Sequence, residues 1–113
     1  MKHIDYSFTT SDIKTCIFAL TKLSLLHHDL EGDISDAQIL INEKCGISSA
    51  NKLAAGKVEQ LTPNELRVLC CCITHCNSIC QGVISTDPQT YNECMQYVFS
   101  LNKLDCELSD RVL

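Results

Sequence analysis

At 113 residues with a formal net charge of −5, the chain fits one domain, large enough to bury a hydrophobic core without covalent staples. The acidic balance argues against general nucleic-acid binding, which needs Lys and Arg to displace counterions from phosphates. With no Trp, three Phe and three Tyr, there are also few platforms on which bases could stack.

The opening "MKHIDYSFTT" lacks the apolar run of a signal peptide, and runs such as Val68–Ile73 are far too short to span a bilayer. A soluble cytoplasmic protein with no membrane contact is expected. Nine cysteines, an odd number, then point to reduced thiols rather than a disulfide framework. Segment 1–10 alternates Ile4, Tyr6 and Phe8 with polar residues and is expected to be an extended N-terminal arm.

The first helix begins near Thr9 or Thr10, where Thr9 and Asp12 fit a capping box. Ile13, Cys16, Ile17, Leu20, Leu23 and Leu30 follow at three- and four-residue intervals until Gly32 ends the run. Phe18 and Leu25 fall on roughly the opposite face. Either this helix has neighbours on two sides, or that pair marks a partner interface, which a homodimer would also use.

A second helix starts at Ser35, with Gln38 completing its cap, and is expected to end at Gly46. A short helix closed by Gly56 follows. The third has the clearest start: Thr62 caps, Pro63 takes the first helical position and Glu65 completes the box, with an end near Gln81. Asp87 and Pro88 open a fourth, which places Tyr91, Cys94, Met95, Val98 and Leu101 on one face. Residues 107–113 are expected to fray.

Four main helices plus a short one, joined by brief connections, make a compact all-α bundle over residues 1–113 the expected architecture. "LEGDIS" at 30–35 and "CQGVIS" at 80–85 echo one another, as two similar helical hairpins would.

On a helical wheel, Leu66, Leu69, Ile73, Cys76 and Cys80 of the third helix share an arc of about 80°. Most of its cysteines therefore stand where Leu or Val would, as small buried hydrophobes. Disulfides within one helix are geometrically poor, since Cβ atoms four residues apart are too distant. Cys71 and His75 lie four apart on the polar side and are the candidate metal ligands, although a structural zinc site would need two more.

The stretch "HHDLEGDISDAQ" at 27–38 resembles an EF-hand calcium loop. His27 stands where the first Asp belongs, however, and Gln38 replaces the bidentate carboxylate, so a capped interhelical turn is expected. The stretch at 37–57 resembles a helix-turn-helix over its first half, with Gly46 in the turn. The pattern departs at Asn42 and Lys52. That resemblance would make Lys44, Ser48, Lys52 and Lys57 a DNA-binding set.

No nucleophile motif, glycine-rich phosphate loop or paired catalytic carboxylates appear, so neither an enzyme nor a cofactor is expected. The favoured reading is a protein-interaction module, an adaptor or stoichiometric inhibitor. Phe18, Leu25 and the acidic run Asp29, Glu31, Asp33 and Asp36 would meet a partner with a basic surface. A DNA-binding regulator and a metal or thiol-redox protein are the alternatives.

Overall fold

Helix starts in this chain are set by short oxygen-bearing side chains that accept backbone N–H groups left unpaired in a first turn. In the computed structural model, which describes residues 7–112 and side-chain burial through Ser109, Thr9 opens α1 (Thr10–Leu20) with a capping box to Asp12. Ser35 caps α3 (Asp36–Ala54) by accepting from the Gln38 amide. Thr62 and Glu65 form the box that opens α4 (Pro63–Cys80), and Asp87 caps α5 (Pro88–Met95). The remaining helices, α2 (Leu23–Asp29) and α6 (Val98–Val112), follow α1 and α5 after short breaks, and a 3-10 turn covers Val58–Gln60.

Two helix ends are fixed by glycine. The Gly56 and Gly82 backbones have φ of +72° and +77°, a region that side chains with a Cβ rarely adopt. In each case the next residue's N–H reaches back five positions, Lys57 to the Lys52 carbonyl and Val83 to the Ser78 carbonyl, completing a Schellman closure.

Among the described residues the chain is all helical, with no strand. Its radius of gyration of 13.2 Å matches the value of roughly 13 Å expected for one compact domain of this length. Helix α4 is central and contacts α1, α2, α3, α5 and α6. Its Leu69, Cys72, Ile73, Cys76 and Ile79 are buried, together with Cys16 and Ala19 of α1, Cys94 of α5, and Leu101, Leu104 and Leu108 of α6. Cys72, Cys76 and Cys80 of α4 do take buried hydrophobic positions, whereas Cys71 is exposed and Cys70 half-buried; all nine cysteines are free thiols.

The expected helix boundaries need four corrections. The first helix is two, because the chain bends at Thr21–Lys22. There the Thr21 hydroxyl bonds the Phe18 carbonyl, competing with the backbone ladder, and Lys22 reaches Glu93 of α5 at 3.0 Å. The fourth helix is also two, because the chain turns at Gln96–Tyr97 and the Tyr97 ring stacks on Phe18, centroids 4.4 Å apart.

The second helix does not stop at Gly46, which lies inside α3. It serves close approach instead of a turn: a Cβ there would meet Leu23 Cδ2 at 3.1 Å. Finally, α6 continues to Val112 with Leu108 in the core, so the 107–113 segment is not frayed over its described part. The expected arm at 1–10 falls mostly on residues 1–6, outside the described residues. Phe8 packs on the core, and Thr10 already belongs to α1.

The Leu23–Gly46 contact can be tested directly. Gly46→Val should lower stability by about 1–3 kcal/mol through overpacking, seen as a reduced Tm. An unchanged or higher Tm would mean that Leu23 does not seat on this glycine.

Candidate binding groove

One strip of α4 is left uncovered by its neighbours. Asn64, Arg67, Cys71, Thr74 and Ser78 recur at three- and four-residue spacing and so share a face. At one margin of the strip, Thr74 and Asn77 donate to the two carboxylate oxygens of Asp105 on α6, at 2.6 and 3.1 Å. At the other margin, His75 Nε2 lies 2.7 Å from Asp29 Oδ2 at the end of α2.

Between these margins the strip floors a groove of about 1210 Å³. Leu23, Leu26, Leu30 and Ile34 form one wall, while Leu108 and Ile84 contribute apolar surface from α6 and the α4–α5 connection. The lining is mainly apolar, as in most ligand and partner sites.

Its polar groups converge on Asn42, a buried residue of α3. The Asn42 side-chain oxygen accepts from Gln38 at 2.9 Å and from the Arg67 guanidinium at 3.2 Å. With that oxygen occupied twice, the amide nitrogen faces His27 Nε2 at 3.2 Å. Arg67 has no carboxylate partner among the described residues. His75 Nδ1 is buried without a hydrogen-bond partner.

The acidic run lies at one end of the groove. Asp29 and Asp33 line it, Asp29 shared with His75, while Glu31, Asp33 and Asp36 are exposed and make no ion pair among the described residues. Two of the four predicted acidic residues, Asp29 and Asp33, thus line a cavity that their spacing alone did not disclose, whereas Glu31 and Asp36 do not line it.

Other predicted site residues are placed differently. Phe18 and Leu25 are half-buried and each has packing partners within the chain. Phe18 stacks on Tyr97 beneath the Lys22 ammonium, 5.5 Å from its centroid, and Leu25 packs against the core. Helix α1 therefore has neighbours on two sides.

Cys71 and His75 do not assemble a metal centre. His75 is buried against Asp29, Cys71 is exposed, and no group of three or more His, Cys, Asp or Glu side chains converges to hold an ion among the described residues. Nor does the chain form a helix-turn-helix, because α3 is continuous where the turn should be.

Two residues of the DNA-binding set are half-buried and engaged with Glu65. Lys52 lies 2.7 Å from Glu65 and also donates to the Gln60 carbonyl, and Ser48 bonds Glu65 as well. Lys44 and Lys57 are exposed.

The thiols divide by burial. Burial pushes Cys16, Cys70 and Cys72 up to about 12 and Cys80 up to about 11, so these are poor nucleophiles at neutral pH. A hydrogen bond with Cys94, reinforced by burial, pushes Cys76 up as well. Cys71 and Cys106 are exposed; of these two Cys71 lines the groove, as does the half-buried Cys70.

The groove itself was not legible from sequence. A polar strip on a helix reads as a solvated face until the walls beside it are known. Asn42 gave the one local signal, as a polar residue where an apolar or small one was expected.

Comparison with known proteins adds no relative: no family model matches the chain, nor does any curated protein or solved structure. No helix of the described residues is long and apolar enough to cross a membrane.

Glu65 gives this region a pH dependence. Burial opposes its charge, but hydrogen bonds from Lys52, Ser48 and Thr62 outweigh that and hold its carboxyl at about 2, below the ordinary 4.5. Because the folded value is depressed, its stabilising contribution is complete above about 4.5 and is lost as pH falls through about 2. Glu65→Gln should therefore flatten the rise of stability across that window in urea titrations. An identical slope in both proteins would remove Glu65 from the account.

Proposed function

We propose that this chain is a non-enzymatic interaction module which binds another protein by taking an apolar segment of it into the α4 groove. It acts there as an adaptor or a stoichiometric inhibitor. The observation that carries the reading is the groove: a cavity of about 1210 Å³ with apolar walls on a single helix face. Its buried polar groups at Asn42 and His27 are already paired with one another, so apolar surface can enter without stranding them.

The acidic end favours a partner with basic residues nearby and repels phosphate backbones, which sets nucleic acid aside as the preferred ligand. Nine free thiols suit the reducing cytoplasm, where we place the protein.

Leu30 and Ile34 line the groove without being deeply buried, which makes them suitable for substitution. Ile47 belongs to a separate exposed apolar row on α3 and serves as the control. In capture from native extract, the wild type and Ile47→Glu should retain the same protein at comparable stoichiometry. The double variant Leu30→Glu/Ile34→Glu, with helicity confirmed by circular dichroism, should lose at least roughly 90% of it, as truncation of a buried anchor does. Retention by the groove variant with loss in Ile47→Glu would move the interface to α3 and overturn the reading.

A further inference from the structure

We infer that the occupant of the groove is a single amphipathic α-helix of the partner protein, placing an acidic side chain at Arg67 and a basic one at Asp33. This rests on the groove being the partner-binding surface. The groove has the size of a helix. The floor from Asn64 to Ser78 spans fourteen residue steps of α4, or about 21 Å. A helix of that length and about 10 Å across sweeps roughly 1,600 Å³. The cavity of about 1210 Å³ therefore takes such a helix laid in with one side still facing solvent.

Backbone chemistry also favours a helix. The floor is an α-helix and the walls are mostly helical, so their interior N–H and C=O groups already bond within their own elements. An extended segment would find no sheet edge there, and its own amide groups would lose water without replacement. A helix satisfies its backbone internally and presents only side chains, which is how helix-in-groove recognition works.

Charge complementarity points the same way. Among the described residues Arg67 has only the Asn42 amide oxygen beside it, at 3.2 Å, and covering it would desolvate an unpaired cation unless the occupant brings a carboxylate. At the other end, among the described residues, Asp33 makes no ion pair and Asp29 pairs only with His75. An acyl chain with one anionic head could answer Arg67 but would bury Asp33 uncompensated. A dipolar helix answers both. Asp29, four positions before Asp33, meets His75, so His75 marks the acidic end of the floor. Arg67 and His75 are eight residues apart on α4, about 12 Å, and a test occupant with its two charges seven or eight positions apart matches that separation.

The test uses the full chain and dye-labelled, side-chain-stapled peptides of sixteen residues, followed by fluorescence anisotropy. Each has Leu anchors along one face, with Lys and Glu seven positions apart. The Lys/Glu peptide should bind saturably, and changing its Glu to Lys should weaken binding roughly fivefold, as expected for a rim charge pair. In Arg67→Glu that preference should invert. A version broken by central prolines should lose binding.

Equal affinity for both charge patterns, unaltered by Arg67→Glu, would overturn the inference, as would tight binding of the proline-broken peptide. If no peptide binds while Leu30→Glu/Ile34→Glu still abolishes capture of the natural partner, the interaction reading stands and its helical occupant falls. Concentration-dependent doubling of mass that the same groove variant abolishes would assign the groove to a second copy of this chain and overturn the inference.

Discussion

Leu69, Cys72, Ile73, Cys76 and Ile79 of α4 form a buried seam against which the neighbouring helices pack, and the rest of the fold depends on it. Each fully buried Leu or Ile contributes roughly 1.5–3 kcal/mol of transfer free energy. The cysteines between them are smaller, so neighbouring helices can approach where sulfur replaces a branched chain. Cys76 is close enough to Cys94 on α5 to share a thiol hydrogen bond. The seam therefore works by fitting small apolar side chains among large ones, and burial that keeps these thiols protonated also keeps them chemically quiet.

Centrality has a consequence for the surface. A helix with neighbours on most sides has little perimeter left, and here the remainder is the strip from Asn64 to Ser78. Because α2 and the start of α3 stand on one side and α6 on the other, the strip becomes a floor rather than an outer face. Its margins are held by polar bonds, Asp29 with His75 and Asp105 with Thr74 and Asn77. The floor is consequently fixed in width by interactions that do not consume its own apolar walls.

Sequence reasoning reached the helical class, the caps and the burial of cysteines because those depend on spacing within one segment. Thr62, Pro63 and Glu65 announce α4 without any knowledge of its neighbours. It failed where distant residues decide. The breaks at Thr21–Lys22 and Gln96–Tyr97 contain neither Gly nor Pro, and they accompany the Phe18–Tyr97 stack and the Lys22–Glu93 pair across helices. Gly46 looked like a turn because glycine often is one, yet its use here is close contact with Leu23. The acidic run was visible as composition, whereas the meeting of Asp29 and Asp33 with Arg67 and the leucine wall on one cavity required the fold.

The most direct test of α4's orientation is site-resolved alkylation of the native protein with iodoacetamide, followed by peptide mass spectrometry. Cys71, on the floor of the groove, should be modified readily, as should the exposed Cys106. Cys72 and Cys76, one and five positions further along the same helix, should react only after denaturant is added. Modification of Cys72 or Cys76 at the rate of Cys71 in folded protein would contradict the packing from which the groove follows.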